Sequence, residues 1–229
     1  MIPEFLELTT IFSSFIDLEY CKNLYSESFL GLLKSYHRKQ IGLDKHPSIA
    51  EFVYPQIALP SLTLGLGANN FQGGEEISGY IYIIEEIVTS FNIKYGSNLL
   101  STPHLIYPPT PYLVGTDGKY MITENSLLIS SSPEDIRATV GKITQNKVLS
   151  DWYDACGGNK GYSSKTGECS EESREEMVNF LIEHLEPFRT FKISNSEILG
   201  SLTEGANRAK ETLRNTTSEI KSVLNIPTF

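Results

Sequence analysis

Residues 75–96 read Glu-Glu-Ile-Ser-Gly-Tyr-Ile-Tyr-Ile-Ile-Glu-Glu-Ile-Val-Thr-Ser-Phe-Asn-Ile-Lys-Tyr-Gly, and this stretch decides the fold class. Its apolar residues recur every three or four positions, which is the period of a helix with one buried face. They are Ile77, Tyr80, Ile81, Ile84, Val88 and Phe91. Acids at the start suit a helix N-terminus, and Gly96 is a natural stop. We therefore predict an amphipathic helix over 75–95.

The sequence on both sides of this stretch is also largely helical in pattern. Apolar residues at helical spacing form two stripes near the start: Phe5, Leu8, Phe12, Phe15 and Ile16, then Leu24, Phe29, Leu32, Leu33 and Tyr36. Ser132-Pro-Glu-Asp135 predicts a helix start, with a serine cap, a proline at the first position and an acid three residues after the cap. The proline-rich segment 99–118 and the glycine-rich segment 157–167 predict loops, and 121–131 predicts a short strand or turn. The chain after 167 is helical in pattern.

Composition narrows the class of protein. The chain has 229 residues, enough for one α/β domain with a helical appendage, and its formal net charge is −9. That charge disfavours DNA and other non-specific nucleic-acid partners, although a local basic face remains compatible with it. Three scattered cysteines predict a reducing, cytoplasmic location and no metal site. No secretory signal or membrane-spanning stretch is visible, so we expect no membrane partner.

Several motifs, in order along the chain, resemble the bacterial type of tryptophanyl-tRNA synthetase. Phe52-Val-Tyr-Pro-Gln-Ile-Ala-Leu-Pro-Ser61 is similar to that family's Phe-x-Tyr-Pro-x-x-x-Ala-Ala-Asp helix, and Gly73-Gly-Glu-Glu-Ile-Ser78 to its Gly-Glu-Asp-Gln loop. Gly115-Thr-Asp-Gly-Lys-Tyr-Met121 resembles the Gly-Thr-Asp-Gly-x-Lys-Met lead into its signature loop. Three further segments resemble the end of a catalytic-domain helix and the C-terminal tRNA-binding helices: 90–96, 180–189 and 202–209.

The resemblance implies a helix-rich α/β fold. We expect the C-terminal half of a Rossmann-type class I synthetase catalytic domain, followed by an α-helical C-terminal domain resembling the anticodon-binding region. The expected domains are 1–130, of which 1–45 is a helical dimerisation segment, and 131–229. Nothing in the chain corresponds to the family's first βαβ unit with its His-x-Gly-His-type signature, so we expect that nucleotide-binding unit to be lacking.

The second signature also departs from the family. Where the family has Lys-Met-Ser-Lys-Ser, this chain has Tyr120-Met121-Ile-Thr123-Glu124. The family's lysines neutralise charge that develops as pyrophosphate leaves, and neither tyrosine nor threonine can do so. Glu124 would repel a triphosphate. The resemblance therefore predicts a degenerate signature loop at Tyr120, Met121 and Thr123, and a protein that does not activate an amino acid.

The amino-acid pocket is altered rather than erased. By resemblance it comprises Tyr54, Ala58, Ser61, Gly73, Glu75 and Glu76. Tyr54 keeps a tyrosine that contacts the substrate's α-amino group, and Glu76 replaces a glutamine with the same task. Ser61 replaces an aspartate that accepts from the indole N–H, which predicts reduced selectivity for tryptophan. The alternative is that these residues are ordinary fold residues of a relic pocket.

Three functions remain open from the sequence. The first is a protein that binds tRNA or aminoacyl-tRNA and transfers the aminoacyl group to a second amine, with a basic face built from Arg189, Lys192, Arg208, Lys210, Arg214 and Lys221. The second is a binding or regulatory protein for a free amino acid or indole-like metabolite. The third is a structural partner of a full-length synthetase. Spacing assigns no catalytic residue, metal or cofactor, and the segment Glu4–Tyr36 predicts a homodimer because its apolar side chains need cover.

Overall fold

The structure is a computed structural model. It describes residues 3–27, 49, 53, 57–74, 77–108, 110, 112–119, 121, 123–158 and 167–227, with the backbone alone for 24–27. The predictions for Tyr54, Glu75, Glu76, Tyr120, Phe29 and Leu33 lie outside the described side chains.

Helices dominate the described residues. In chain order they are α1 (Pro3–Ser13), α2 (Leu18–Glu27), α3 (Leu59–Gly65), α4 (Ser78–Tyr95), α5 (Pro133–Val140), α6 (Asn146–Ala155), α7 (Glu171–Thr190) and α8 (Asn195–Val223), with strands β1 (Asn70–Gln72) and β2 (His104–Ile106) and a 3-10 helix at Thr123–Asn125. The two strands pair in parallel, Asn70 opposite His104 and Gln72 opposite Ile106. The protein is therefore a helix-rich α/β fold with a small parallel sheet, as predicted at that level.

The apolar stripe and the terminal glycine in the sequence predicted helix α4 correctly. The helix predicted over 75–95 is observed as α4, and Gly96 ends it in the left-handed conformation at φ 58°. Glycine has no Cβ to penalise that conformation, which explains the abrupt stop. The loop predicted over 99–118 is wrong at His104–Ile106, where β2 pairs with β1. That pairing is non-local, so the proline-rich sequence around it gave no sign of it.

The first compact unit comprises Met1–Ile106 and Ser196–Phe229. Its core is built mainly from α4 and α1, which contribute Ile83, Ile84, Ile87, Phe91, Leu8 and Phe12, each no more than 1% exposed. Leu213 and Ile220 of α8 join the same core. The premise that Phe5, Phe12 and Phe15 form an uncovered surface is therefore wrong, because they pack inside this unit. The homodimer itself stays a prediction.

The second compact unit is Tyr107–Asn195. Helix α5 begins with the predicted capping box: the Ser132 hydroxyl accepts from the Asp135 amide, and the Asp135 carboxylate accepts from the Ser132 amide. The core joins α5, α6 and α7 through Ile136, Val140, Leu149, Trp152, Met177 and Leu181. The domains predicted at 1–130 and 131–229 are defined by the parts of a synthetase that they resemble, whereas the compact units are defined by contacts within the chain. The predicted domains therefore stay a prediction.

Among the described residues, no helix combines the length and the apolar character needed to cross a bilayer. The same part of the chain holds no group of three or more His, Cys, Asp or Glu side chains arranged to bind a metal ion.

Candidate functional site

Helix α3 and Ala58, the residue just before it, supply two of the positions assigned to the amino-acid pocket. Ala58 is 7% exposed and Ser61 is completely buried. The Ser61 hydroxyl donates to the carbonyl oxygen of Ile57 at 2.6 Å. A hydroxyl has one proton, so Ser61 can offer a ligand only its remaining lone pairs.

The burial of Ser61 follows from how closely α3 is packed. A Cβ added to Gly65 would lie 2.6 Å from a methyl of Leu8 and 2.6 Å from a methyl of Leu213. Glycine therefore permits α1, α3 and α8 to approach one another at this point. Ser61 lies one turn earlier on the same helix, which places it in the core of the first compact unit.

Gly73 lies at the end of β1, where its amide donates to the Ile106 carbonyl at 3.3 Å. A side chain there would collide with Ile77, whose Cδ1 is 2.4 Å from the position of a Cβ. The loop thus passes directly beneath the start of α4. Because Tyr54, Glu75 and Glu76 lie outside the described residues, the frame for an ammonium group stays a prediction.

The segment before the degenerate signature loop is fixed by one carboxylate. Asp117 Oδ1 accepts from the Lys119 amide at 3.1 Å and from the Asn125 side-chain amide at 2.8 Å. The backbone carbonyl of Asn125 in turn accepts from the backbone amide of Thr116 at 2.9 Å. We call this arrangement of Asp117, Lys119 and Asn125 the loop clamp. It brings the two ends of the signature segment together.

Glycine makes the loop clamp possible. A Cβ at Gly115 would sit 2.2 Å from the Asn125 side chain, so any larger residue would displace it. Sequence reasoning identified the Gly115-Thr-Asp-Gly118 motif but missed Asn125. The seven residues between Asp117 and Asn125 contain no periodic signal that would have revealed the contact.

Within the clamped segment, Met121 is half-buried and packs on the core of the second unit. Thr123 is exposed and begins the 3-10 helix that ends at Asn125. Glu124 is exposed beside it. The described part of the degenerate loop therefore presents a hydroxyl and a carboxylate to solvent, while Tyr120 lies outside the described residues.

We expect the loop clamp to weaken in acid. The hydrogen bond from the Lys119 amide, followed by that from Asn125, holds the pKa of Asp117 below its usual value of 3.8. A depressed pKa contributes stability that is present above pH 3.8 and is lost as pH falls through the folded-state pKa. Asp117→Ala should remove this contribution, so urea unfolding of the two proteins should differ near neutral pH and converge toward pH 2. A difference independent of pH would contradict the role of the charge.

No protein-family model matches the chain, and no curated protein matches its sequence. The tryptophanyl-tRNA synthetase of Campylobacter jejuni complexed with ADP and tryptophan is 18% identical and covers 97% of this chain and 70% of its own, with a TM-score of 0.56. Another structure of that protein is 17% identical, and the match covers 98% of this chain and 73% of that chain with a TM-score of 0.64. The Mycoplasma pneumoniae tryptophanyl-tRNA synthetase is 12% identical, and the match covers 98% of this chain and 74% of that chain with a TM-score of 0.72.

The chain has the fold of a tryptophanyl-tRNA synthetase. The likeness extends over nearly all of its length at an identity too low to carry more than the fold. The sequence resemblance and the structural likeness thus agree on a synthetase-like relationship.

Part of the basic face predicted for this synthetase-like fold is neutralised. Arg214 Nε donates to Glu4 at 2.6 Å, and Lys221 lies 2.8 Å from Glu7. The hydrogen bond from Arg214 holds the pKa of Glu4 below its usual value, so this carboxylate stays charged. In the second unit, Arg189 donates to the Ile182 carbonyl at 2.6 Å. These three cations therefore each have a partner within the protein.

The remaining predicted cations differ in exposure. Arg208 and Lys192 are exposed, and Lys210 is half-buried near Glu4. Arg208 belongs to the first unit and Lys192 to the second. Each of these three side chains can still contact a phosphate individually.

Proposed function

We propose that this protein is a synthetase-like protein that does not activate an amino acid and that binds tRNA or an aminoacyl-tRNA. The observation that carries the proposal is the tryptophanyl-tRNA synthetase fold over 97–98% of the chain. A chain with this fold and without the adenylation chemistry would keep the surface that recognises tRNA. Transfer of the aminoacyl group to a second amine is the reaction that an already activated ester would allow.

The signature loop of this chain lacks the two lysines of the family's motif. Class I activation needs cations where pyrophosphate departs, because charge develops there in the transition state. At the corresponding positions this chain has Tyr120, Thr123 and Glu124. Thr123 and Glu124 are exposed, which places a negative charge on the described part of the loop.

We expect no ATP–pyrophosphate exchange above background with any standard amino acid. The reason is the replacement of the loop lysines by residues that cannot neutralise a leaving pyrophosphate. Radiolabelled exchange measured beside an authentic tryptophanyl-tRNA synthetase checks this. Exchange that is clear in the wild type and abolished by Tyr54→Ala would contradict the proposal.

Binding of tRNA is the second part of the same test. Fluorescence anisotropy with labelled tRNA, charged and uncharged, should show saturable binding that weakens with salt, as phosphate contacts do. Arg208→Glu should weaken it, because Arg208 is exposed on α8. Lys142→Glu makes the same charge change at an exposed position outside the proposed face and serves as the control. Equal weakening by both variants, or no saturable binding, would remove tRNA from the proposal.

The ion pairs on α8 favour a second candidate. Arg214 and Lys221 are paired with Glu4 and Glu7, which leaves fewer cations for phosphates than the sequence suggested. A binding or regulatory protein for a free amino acid or indole-like metabolite needs no basic face. Titration with amino acids in place of tRNA separates the two candidates.

A homodimer, or pairing with a full-length synthetase as a structural partner, would use the segment Glu4–Tyr36. The described aromatic residues of that segment pack inwards, so support for this proposal comes from the resemblance alone. Light scattering at micromolar concentration, with and without a full-length synthetase, distinguishes monomer, homodimer and mixed complex.

A further inference from the structure

A cleft of about 460 Å³ opens in the second compact unit, outside all the residues discussed as a pocket so far. One wall is α6 with Gln145 just before it, and the other comprises Thr110, Tyr112, Val114 and Gly118. Small organic ligands bind in protein cavities of about 300–1,000 Å³, so this cleft is of a size to hold one.

The two walls are held at a fixed separation. The indole Nε1 of Trp152, on the buried side of α6, donates to the Val114 carbonyl on the opposite wall at 2.6 Å. At the other end, Gly118 adopts φ +74° and lies close to the Gln145 side chain. The hydrogen bond from Trp152 therefore ties the two walls together within the second unit.

The polar face of α6 supplies charge to the cleft. Lys147, Asp151 and Asp154 follow one another at intervals of four and three residues, which places them on one side of a helix. Lys147 forms an ion pair with Asp151, whose side chain is only 16% exposed. Asp154 is exposed at the rim. One positive and two negative groups leave the cleft with an excess of one negative charge.

These charges oppose the dipole of the helix that bears them. Acids favour the first turn of a helix and bases the last turn, yet α6 has no acid in its first turn and no base in its last. Lys147 instead lies near the start and Asp154 near the end. The i,i+4 pair of Lys147 with Asp151 supports the helix, but helix stability does not account for Asp154 near the C-terminus. A bound cation near Asp154 would interact favourably with both the carboxylate and the helix C-terminus.

We propose that the cleft binds a small organic ammonium ion. Its amino group meets Asp154 and Asp151, and its aliphatic body lies along Val114 and Val148, which also line the cleft. Tyr112 lines the same space and offers an aromatic ring to the cation. The proposal does not depend on tRNA binding or on aminoacyl transfer, because it rests on this cleft alone.

The test is calorimetric titration of the full chain with n-butylamine and with 1,4-diaminobutane. Saturable binding of at least one amine is expected, with butyrate giving none. Asp154→Asn should weaken it by about tenfold or more, the loss typical of a hydrogen bond to a charged group. Gln145→Lys should weaken it similarly by adding a cation at the lining while every carboxylate remains. Both positions are exposed, so neither change disturbs the core.

Glu183→Gln is the matched control, since it removes one exposed carboxylate from α7 of the same unit. It should leave amine affinity unchanged. Equal weakening by Glu183→Gln and Asp154→Asn would show non-specific attraction to an acidic protein and overturn the proposal. So would the absence of saturable binding by either amine, or tight binding of butyrate.

Discussion

Ser61→Asp is expected to lower the free energy of unfolding by about 3–5 kcal/mol, the cost of leaving an uncompensated charge inside a protein. Ser61 has no solvent exposure, and α3 packs tightly against α1 and α8 at Gly65. The resemblance instead predicts tighter binding of tryptophan, because an aspartate here restores an acceptor for an indole N–H. The one substitution therefore separates a ligand pocket from a filled core.

Urea unfolding followed by circular dichroism, with and without tryptophan, measures the effect of this change. Ser201→Asp is the control, because it places the same side chain at an exposed position of α8 and should change stability by no more than about 0.5 kcal/mol. If Ser61→Asp were as stable as wild type and were further stabilised by tryptophan, Ser61 would belong to a working pocket. In that case the packed environment described above would not govern the site.

Trp152→Ala should destabilise the second unit by about 3–5 kcal/mol, the usual cost of truncating a buried aromatic side chain. Trp152 is 4% exposed in the core of that unit, and it also holds the 110–118 segment through Val114. Trp152→Phe keeps much of the ring and loses the hydrogen bond, so a smaller loss is expected.

The chain has a single tryptophan, so wild-type fluorescence reports directly on the environment of Trp152. The variants are compared with wild type by circular dichroism in urea. Leu199→Ala, at an exposed apolar position on α8, is the control and should be nearly neutral. A loss below about 1 kcal/mol for Trp152→Ala would mean that the second unit does not depend on this core.

Local features of the fold were predictable from the sequence. The stripe of α4, the stop at Gly96 and the capping box at Ser132 each depend on residues within a few positions of one another. Propensity and capping act over that range, so the sequence alone is sufficient to predict them.

Contacts between segments far apart in the sequence could not be predicted in the same way. The pairing of β1 with β2 joins segments of three residues each, too short for a periodic signal. The loop clamp depends on Asn125 reaching back to Asp117, and the burial of Phe12 depends on neighbours from distant segments. The spacing of Lys147, Asp151 and Asp154 was visible in the sequence, but only the facing wall at 110–118 shows that these residues line a cleft.

The first compact unit is discontinuous, and this has a consequence for synthesis on the ribosome. Its core needs Leu213 and Ile220, which are translated after the whole of the second unit. At about 5–20 residues per second, the N-terminal helices must wait for seconds with part of their apolar surface uncovered. The second unit is continuous and can fold during that interval. Elongation rate and early chaperone contact should therefore influence the yield of folded protein through its first hundred residues.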